Sequence, residues 1–258
     1  MALGDGLVNY WSPWLGSSGY RLIDRTTYSN HGTLTNMDAG TDWVGATING
    51  RTGYALDFDG VNDYVECGPC RNVNKYCTLS AWVMWRNLGN SSYYPMIVCR
   101  PAVATWINPF ADFSLRIHGL NKRIDFGVNN LNVVANIVSG STIITVDGLW
   151  HHVIGLYDGQ NLEVWLDGKK DGTKALVAAS INDSGRNILI AARQGVGEHN
   201  NCILADVSIH NRALTPAEIR TLYRLGPGWY QPQRRRSLGY VPSATTNRRR
   251  RILCGANC

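Results

Sequence analysis

Glutamate is scarce. Only Glu66, Glu163, Glu198 and Glu218 stand in 258 residues, and charged side chains make up 17% of the chain. That is well below the usual quarter and excludes a disordered chain, a coiled coil or an ion-pair-laced thermophilic type. No stretch approaches the roughly 18 apolar residues of a spanning helix, so no membrane partner is expected. The opening MALGDGLVNYW has neither the basic nor the apolar region of an export signal. Cysteine is sparse and odd in number, at seven. Together these features lead to an expectation of reduced thiols and synthesis in the cytosol.

Abundant are 27 Gly, 12 Tyr and 9 Trp, within a 44% apolar composition. This suits strands and tight turns better than helices. Apolar or alternating segments fall near residues 7–11, 32–34, 54–58, 64–67, 78–85, 95–100, 113–118 and 123–128. More follow near 132–138, 142–146, 151–157, 162–166, 187–192 and 202–210. Turn signals part them about every 8–12 residues, as in a sandwich or barrel. Asn129–Asn130 and Asp158–Gly159 read as hairpin turns. Thr215-Pro216-Ala217-Glu218 is a capping box, and Ile219, Leu222 and Tyr223 then share one helix face. With no internal repeat, the chain reads as one domain over residues 1–224 and a tail over 225–258.

The charge is concentrated in that tail. Arg234, Arg235, Arg236, Arg248, Arg249, Arg250 and Arg251 lie there with no acid, leaving 18 basic against 19 acidic residues in the body. A near-neutral body argues against a folded nucleic-acid-binding face.

Several motifs occur together in a known order. GYALDFDGVNDYVECG (53–68), TLSAWVMW (78–85), WHHVIGLYDGQNLEVWLDGK (150–169) and ADVSIHNRALTPAEIRTLY (205–223) resemble successive elements of laminin G-like, concanavalin A-like (pentraxin-like) domains. GLVNYW and HGTLTN resemble the family's opening. The resemblance covers roughly residues 6–223. It implies an all-β fold, a two-sheet antiparallel β-sandwich of jelly-roll type, with one short C-terminal helix and an extended basic tail. Trp82, Trp85, Trp150 and Trp165 are then expected in the sandwich core. Trp106 and Tyr93–Tyr94, in loops, are candidates for ligand stacking.

Some concanavalin A-like proteins are glycosidases, which need two carboxylates about 5–9.5 Å apart. Glu218 is committed to the helix cap, and Glu163 and Asp167, four apart on one strand, would stand about 13 Å apart. No enzyme is expected. His151 and His152, adjacent on a strand, point to opposite faces and cannot serve one site. Cys67-Gly68-Pro69-Cys70 has the spacing of a redox pair or half a zinc site, with Cys77, Cys99 or Cys202 as further ligands. Loop and strand, not a helix, follow it, so plain thiols are favoured. No cofactor is expected, with one exception. Asp57, Asp59, Asn62 and Asp63 form an oxygen-rich group that could hold calcium or simply make an Asx turn. Asn90-Ser91-Ser92 and Asn182-Asp183-Ser184 match the glycosylation pattern.

For the tail, three readings stand: a solvated segment, an arm that docks on a partner, or a nucleic-acid contact. In the docking reading the seven arginines bind carboxylate or phosphate, while Trp229 and Tyr230 bury on the partner. The function expected is a virion surface subunit, such as a phage capsid decoration or tail-associated protein. It would be made in the host cytoplasm and held to other subunits or copies of itself by the arm. The alternative is a secreted, extracellular carbohydrate- or matrix-binding module. Glycan is a candidate ligand in either reading.

Overall fold

The computed structural model describes residues 2–88, 94–102, 111–129, 136–176, 180–193 and 198–230. Sixteen strands and one helix are found there. In chain order the strands are β1 (Leu7–Trp11), β2 (Arg21–Leu22), β3 (Gly32–Thr35), β4 (Trp43–Ile48), β5 (Arg51–Asp59), β6 (Tyr64–Pro69), β7 (Cys77–Asn87) and β8 (Met96–Pro101). They continue with β9 (Ala111–Ile117), β10 (Ile124–Val128), β11 (Asn136–Ser139), β12 (His151–Tyr157), β13 (Asn161–Leu166), β14 (Lys169–Ala175), β15 (Asn187–Ile190) and β16 (Asn201–His210). Helix α1 (Pro216–Leu225) closes the series.

Two eight-stranded antiparallel sheets result. One runs β14-β13-β12-β7-β16-β5-β4, with β1 also paired on β16; the other runs β11-β10-β9-β8-β15-β6-β3-β2. The first and last strands are therefore neighbours, as the resemblance implies. Side chains alternate across each strand. Cys77, Leu79, Ala81, Val83 and Trp85 of β7 enter the core, where Phe113, Leu115, Phe126, Ile188 and Ile190 of the second sheet meet them. Gly155 of β12 is required here, because a Cβ would stand 2.2 Å from the Phe126 ring.

Three of the four tryptophans expected in that core are elsewhere. Trp82 faces outward on the first sheet, clustered with His152 and Tyr223 at 5.0 and 5.6 Å, those two rings lying 6.2 Å from each other. Trp150 packs beside it, and Trp165 lies with Ile154 and Leu156 beneath Ile219 and Leu222 of α1. The cause is that helix and loops bury the outer face of this sheet as well, so its alternating apolar residues serve two layers. The helix begins as its sequence dictates. The Glu218 amide donates to Thr215 Oγ1 at 3.3 Å and the Thr215 amide to Glu218 Oε2 at 2.8 Å. Arg212 grips the same carboxylate at 2.7 and 2.9 Å, holding its pKa down at about 2.

Other strand boundaries differ from expectation. β2, β4 and β14 had no counterpart in the sequence reading. Residues 142–146 form no strand. Instead Thr142 is tied to Asp171 and the Ile144 amide donates to Lys122 O at 2.7 Å. β15 stops at Ile190 because Ala191 takes a left-handed φ of 65°. Val128 pairs with Asn136, so the link from β10 to β11 is longer than the two-residue turn read at Asn129–Asn130. Asn130 itself lies outside the described residues. Among the described residues no helix is long and apolar enough to cross a membrane.

Candidate ligand-binding cleft

A concavity lies where β1, β3 and β6 meet the loop between β2 and β3. Asp24, 3% exposed, organises that loop. Its carboxylate accepts five hydrogen bonds: from the Tyr10, Thr26 and Asn30 amides at 3.0 Å each, from Asn9 Nδ2 at 3.1 Å and from Thr26 Oγ1 at 2.9 Å. An aspartate is suited to this role because one short carboxylate can gather several turn amides. The Asp24 amide donates to His31 Nδ1 at 3.0 Å, which leaves the neutral ring its hydrogen on Nε2. Burial and the nearby Arg21 and Arg25 lower the His31 pKa.

Asn30 fastens the loop to the neighbouring strands. Its Nδ2 donates to Gly68 O at 2.9 Å, and its carbonyl accepts from Trp11 Nε1 at 2.6 Å. A Cβ at Gly68 would come within 2.4 Å of Asn30 Oδ1 and displace that side chain from its bonds. Two adjoining openings flank this fixed loop and share Ser29 and Asn30. One, of about 210 Å3, is bounded by Val8, Asn9, Tyr28, Pro69 and Arg71. The other, of about 550 Å3, is bounded by Tyr20, Arg21, His31, Thr33 and Gly68. Tyr20 and Tyr28 are 63% and 49% exposed. Asn9 is 2% exposed, and its Oδ1 has no hydrogen-bond partner.

The expected site residues are placed elsewhere. Asp57 pairs with Arg86 at 2.6 Å. Asp59 accepts from the Val61 and Asn62 amides, and Asp63 accepts from the Asp59 amide at 3.1 Å. Asn62 gives its carbonyl to Asn36. These bonds are those of the Asx-turn alternative. Among the described residues no three His, Cys, Asp or Glu side chains form a metal-holding group. Cys67, Cys70, Cys77, Cys99 and Cys202 are buried free thiols. Cys99 sits apart from the others, with Met96 and Leu189 on the outer face of the second sheet. Burial raises every one of these thiols, Cys70 and Cys99 to about 12. Among the described residues, Cys67 and Cys70 are not bridged.

His151 and His152 do face opposite ways. His151 Nδ1 meets Asp167 Oδ2 at 2.9 Å, and His152 Nε2 meets Ser80 Oγ at 2.9 Å. Burial lowers the His152 pKa to about 4. Glu163 is engaged by Trp165 Nε1 at 2.8 Å and by Lys170. Asn182 Nδ2 donates to Asp112 at 2.6 Å, which engages the amide of that glycosylation pattern. Tyr94 lies under the Arg116 guanidinium, 4.2 Å from its ring centre. Tyr93, Trp106, Asn90, Cys254, Cys258 and the seven tail arginines lie outside the described residues.

Trp229 and Tyr230 pack on the sandwich itself, 5.3 and 5.7 Å from the Tyr10 ring. The Gly228 amide donates to buried Asp206 at 2.5 Å, alongside Ser12 Oγ at 2.5 Å and the Tyr10 hydroxyl. The packed body thus continues to the last described residue. A second feature missed in sequence is a buried polar seam on the outer face of the second sheet. There Arg193 faces Glu198 at 3.3 Å and Arg116 faces Asp125 at 3.7 Å. Burial raises the Glu198 pKa and lowers that of Arg116. These acids are 1% and 2% exposed.

Comparison with known proteins bears on the fold. No curated protein matches the chain in sequence. Among solved structures, the binding domain of Paraclostridial mosquitocidal protein 1 superposes with a TM-score of 0.62 at 14% identity, over 86% of this chain and 52% of that one. The binding domain of botulinum neurotoxin DC, solved with SialylT, gives 0.59 at 12% over 86% and 52%. Trypanosoma rangeli sialidase gives 0.57 at 16% over 86% and 33%. The chain thus spans about half or less of each of these structures, and at such identities the likeness is one of fold. The family model of the concanavalin A-like lectin/glucanases superfamily, Laminin_G_3, matches residues 59–220, and the chain belongs to that family.

Proposed function

We propose that this protein is a non-catalytic binding protein whose sandwich takes a saccharide in the cleft beside the 24–33 loop. The observation that carries the reading is an opening bordered by exposed Tyr28 and by Asn9, whose buried Oδ1 has no hydrogen-bond partner. A sugar hydroxyl supplies the missing hydrogen, and tyrosine rings offer their faces to the apolar side of a sugar ring. The loop is already held by Asp24, so little ordering is lost on binding. Two of the similar structures are binding domains, which supports the same reading. The test is an oligosaccharide array probed with the wild type and Tyr28→Ala, with and without calcium. Binding weakened about tenfold by the substitution supports the reading; turnover of any oligosaccharide, or binding indifferent to Tyr28, overturns it.

The composition of residues 231–258 favours a second reading, a virion surface subunit anchored by this segment. Its seven arginines and no acid suit a fixed partner, and it starts from Tyr230, which is seated on the body. Replacing the seven arginines by glutamine leaves the sandwich folded and removes incorporation into particles. Undiminished incorporation of that variant overturns this reading.

A further inference from the structure

We propose that the cleft selects an acidic saccharide, at least two sugar units long, whose carboxylate or sulfate groups are held by Arg21 and Arg71. The inference rests on the saccharide reading above and names its ligand class. Arg71 borders the smaller opening and Arg21 the larger, and the two openings adjoin through Ser29 and Asn30. Both arginines are exposed, and neither forms an ion pair among the described residues. No carboxylate lines either opening. Of the two acids close by, Asp24 is buried and turned to its five donors, and Glu66, across from Thr33, accepts from Asn187 Nδ2. The charged side chains bordering the openings are therefore positive, and Arg21 and Arg25 add to burial in lowering the His31 pKa.

The complementary donors and acceptors define the rest of the ligand. Asn9 Oδ1 needs a hydrogen, which hydroxyls and amides of a sugar supply and a phosphodiester backbone lacks. His31 Nε2–H and Arg21 offer donors along the larger opening and Arg71 along the smaller, and a guanidinium fork matches an oxyanion. Spanning both openings takes more than one sugar ring.

The experiment measures affinity of the full chain for uronate-containing and sulfated tetrasaccharides, for a neutral tetrasaccharide, and for a single-stranded DNA of equal charge. The proteins compared are wild type, Arg21→Gln/Arg71→Gln and Tyr28→Ala. The tail arginines are present in all three, so the differences read the cleft alone. The acidic tetrasaccharide is expected to bind more tightly than the neutral one, to weaken about tenfold or more in the double variant, and to weaken with added salt. Neutral tetrasaccharide that binds as tightly, is lost in Tyr28→Ala and is untouched by the double variant overturns the acidic selection while leaving the saccharide reading intact. DNA that binds more tightly than any saccharide and depends on both arginines overturns the ligand class. Affinities that no substitution changes overturn the cleft itself, and with it both readings.

Discussion

Two buried aspartates, each 3% exposed, organise two regions of opposite character. Asp24 gathers five donors from strand β1 and a single loop, and beside that loop lie a buried acceptor without a partner, Asn9 Oδ1, and the exposed Arg21 and Arg71. Asp206, in a bulge of β16 with a φ of 47°, gathers Tyr10, Ser12 and Gly228, and so seals the C-terminal segment onto the sandwich. Around Asp206 the aromatic rings of Tyr10, Trp229 and Tyr230 meet one another. Around Asp24 the rings of Tyr20 and Tyr28 meet solvent. The same chemical device thus closes one surface and pre-shapes another, and only the second is left with bonds to make.

The largest effect is expected for Asp24→Ala. It strands buried amides of the loop and should cost about 3 kcal/mol in urea unfolding, with loss of saccharide binding. Asp206→Asn should cost less, about 1–2 kcal/mol, because an amide still accepts from Tyr10 or Ser12, and it should leave binding unchanged. If Asp206→Asn abolished binding and Asp24→Ala did not, the division between the two regions would collapse.

A pH titration sharpens the contrast. Burial raises the Asp206 pKa to about 6 from an ordinary 3.8, so the folded state holds its proton more tightly than the unfolded chain. Its contribution to stability is fully present below about pH 4 and is lost as pH rises through 6. His152 and His210, lowered by burial to about 4, act in the opposite sense between pH 6.5 and 4. The difference in unfolding free energy between wild type and Asp206→Asn, measured from pH 4 to 7.5, removes the histidine part. That difference should favour the wild type more at the acid end, by on the order of 2 kcal/mol. The smallest effect is expected at the helix cap, where Glu218→Gln should cost about 1 kcal/mol by urea unfolding and leave the cleft unaffected.

The strand frame could be read from the sequence because β1 and β12 alternate or run apolar between clear turn residues, and the helix because its capping box is explicit. The missed strands have physical reasons. β14, KKDGTKA, is an exposed edge strand whose lysines and glycine suppress the apolar signal. β2 spans two residues, below any periodicity. β4 was within reach, since Asn49 and Gly50, at φ 52° and 72°, form the tight turn that joins it to β5. Trp85 lies in the expected core, while Trp82, Trp150 and Trp165 lie in another layer, because alternation tells that a face is buried and not what covers it; α1 does so over Trp165.

The cleft was not legible for a different reason. Asp24, Asn30 and Gly68 look like ordinary turn residues, and the openings form only when β1 of one sheet and β3 and β6 of the other meet the 24–33 loop. The one local signal was an aspartate two residues before a threonine and six before an asparagine, within RLIDRTTYSNHG, a loop dense in groups that bond turn amides.

Hydrogen exchange of the full chain, with and without a saturating oligosaccharide selected from the array, tests the central claim most directly. New protection confined to residues 24–33 and 68–71, with the oligosaccharide recovered uncut, is the predicted result. Protection centred on the Arg116–Glu198 face, or an oligosaccharide recovered as shorter products, would contradict it.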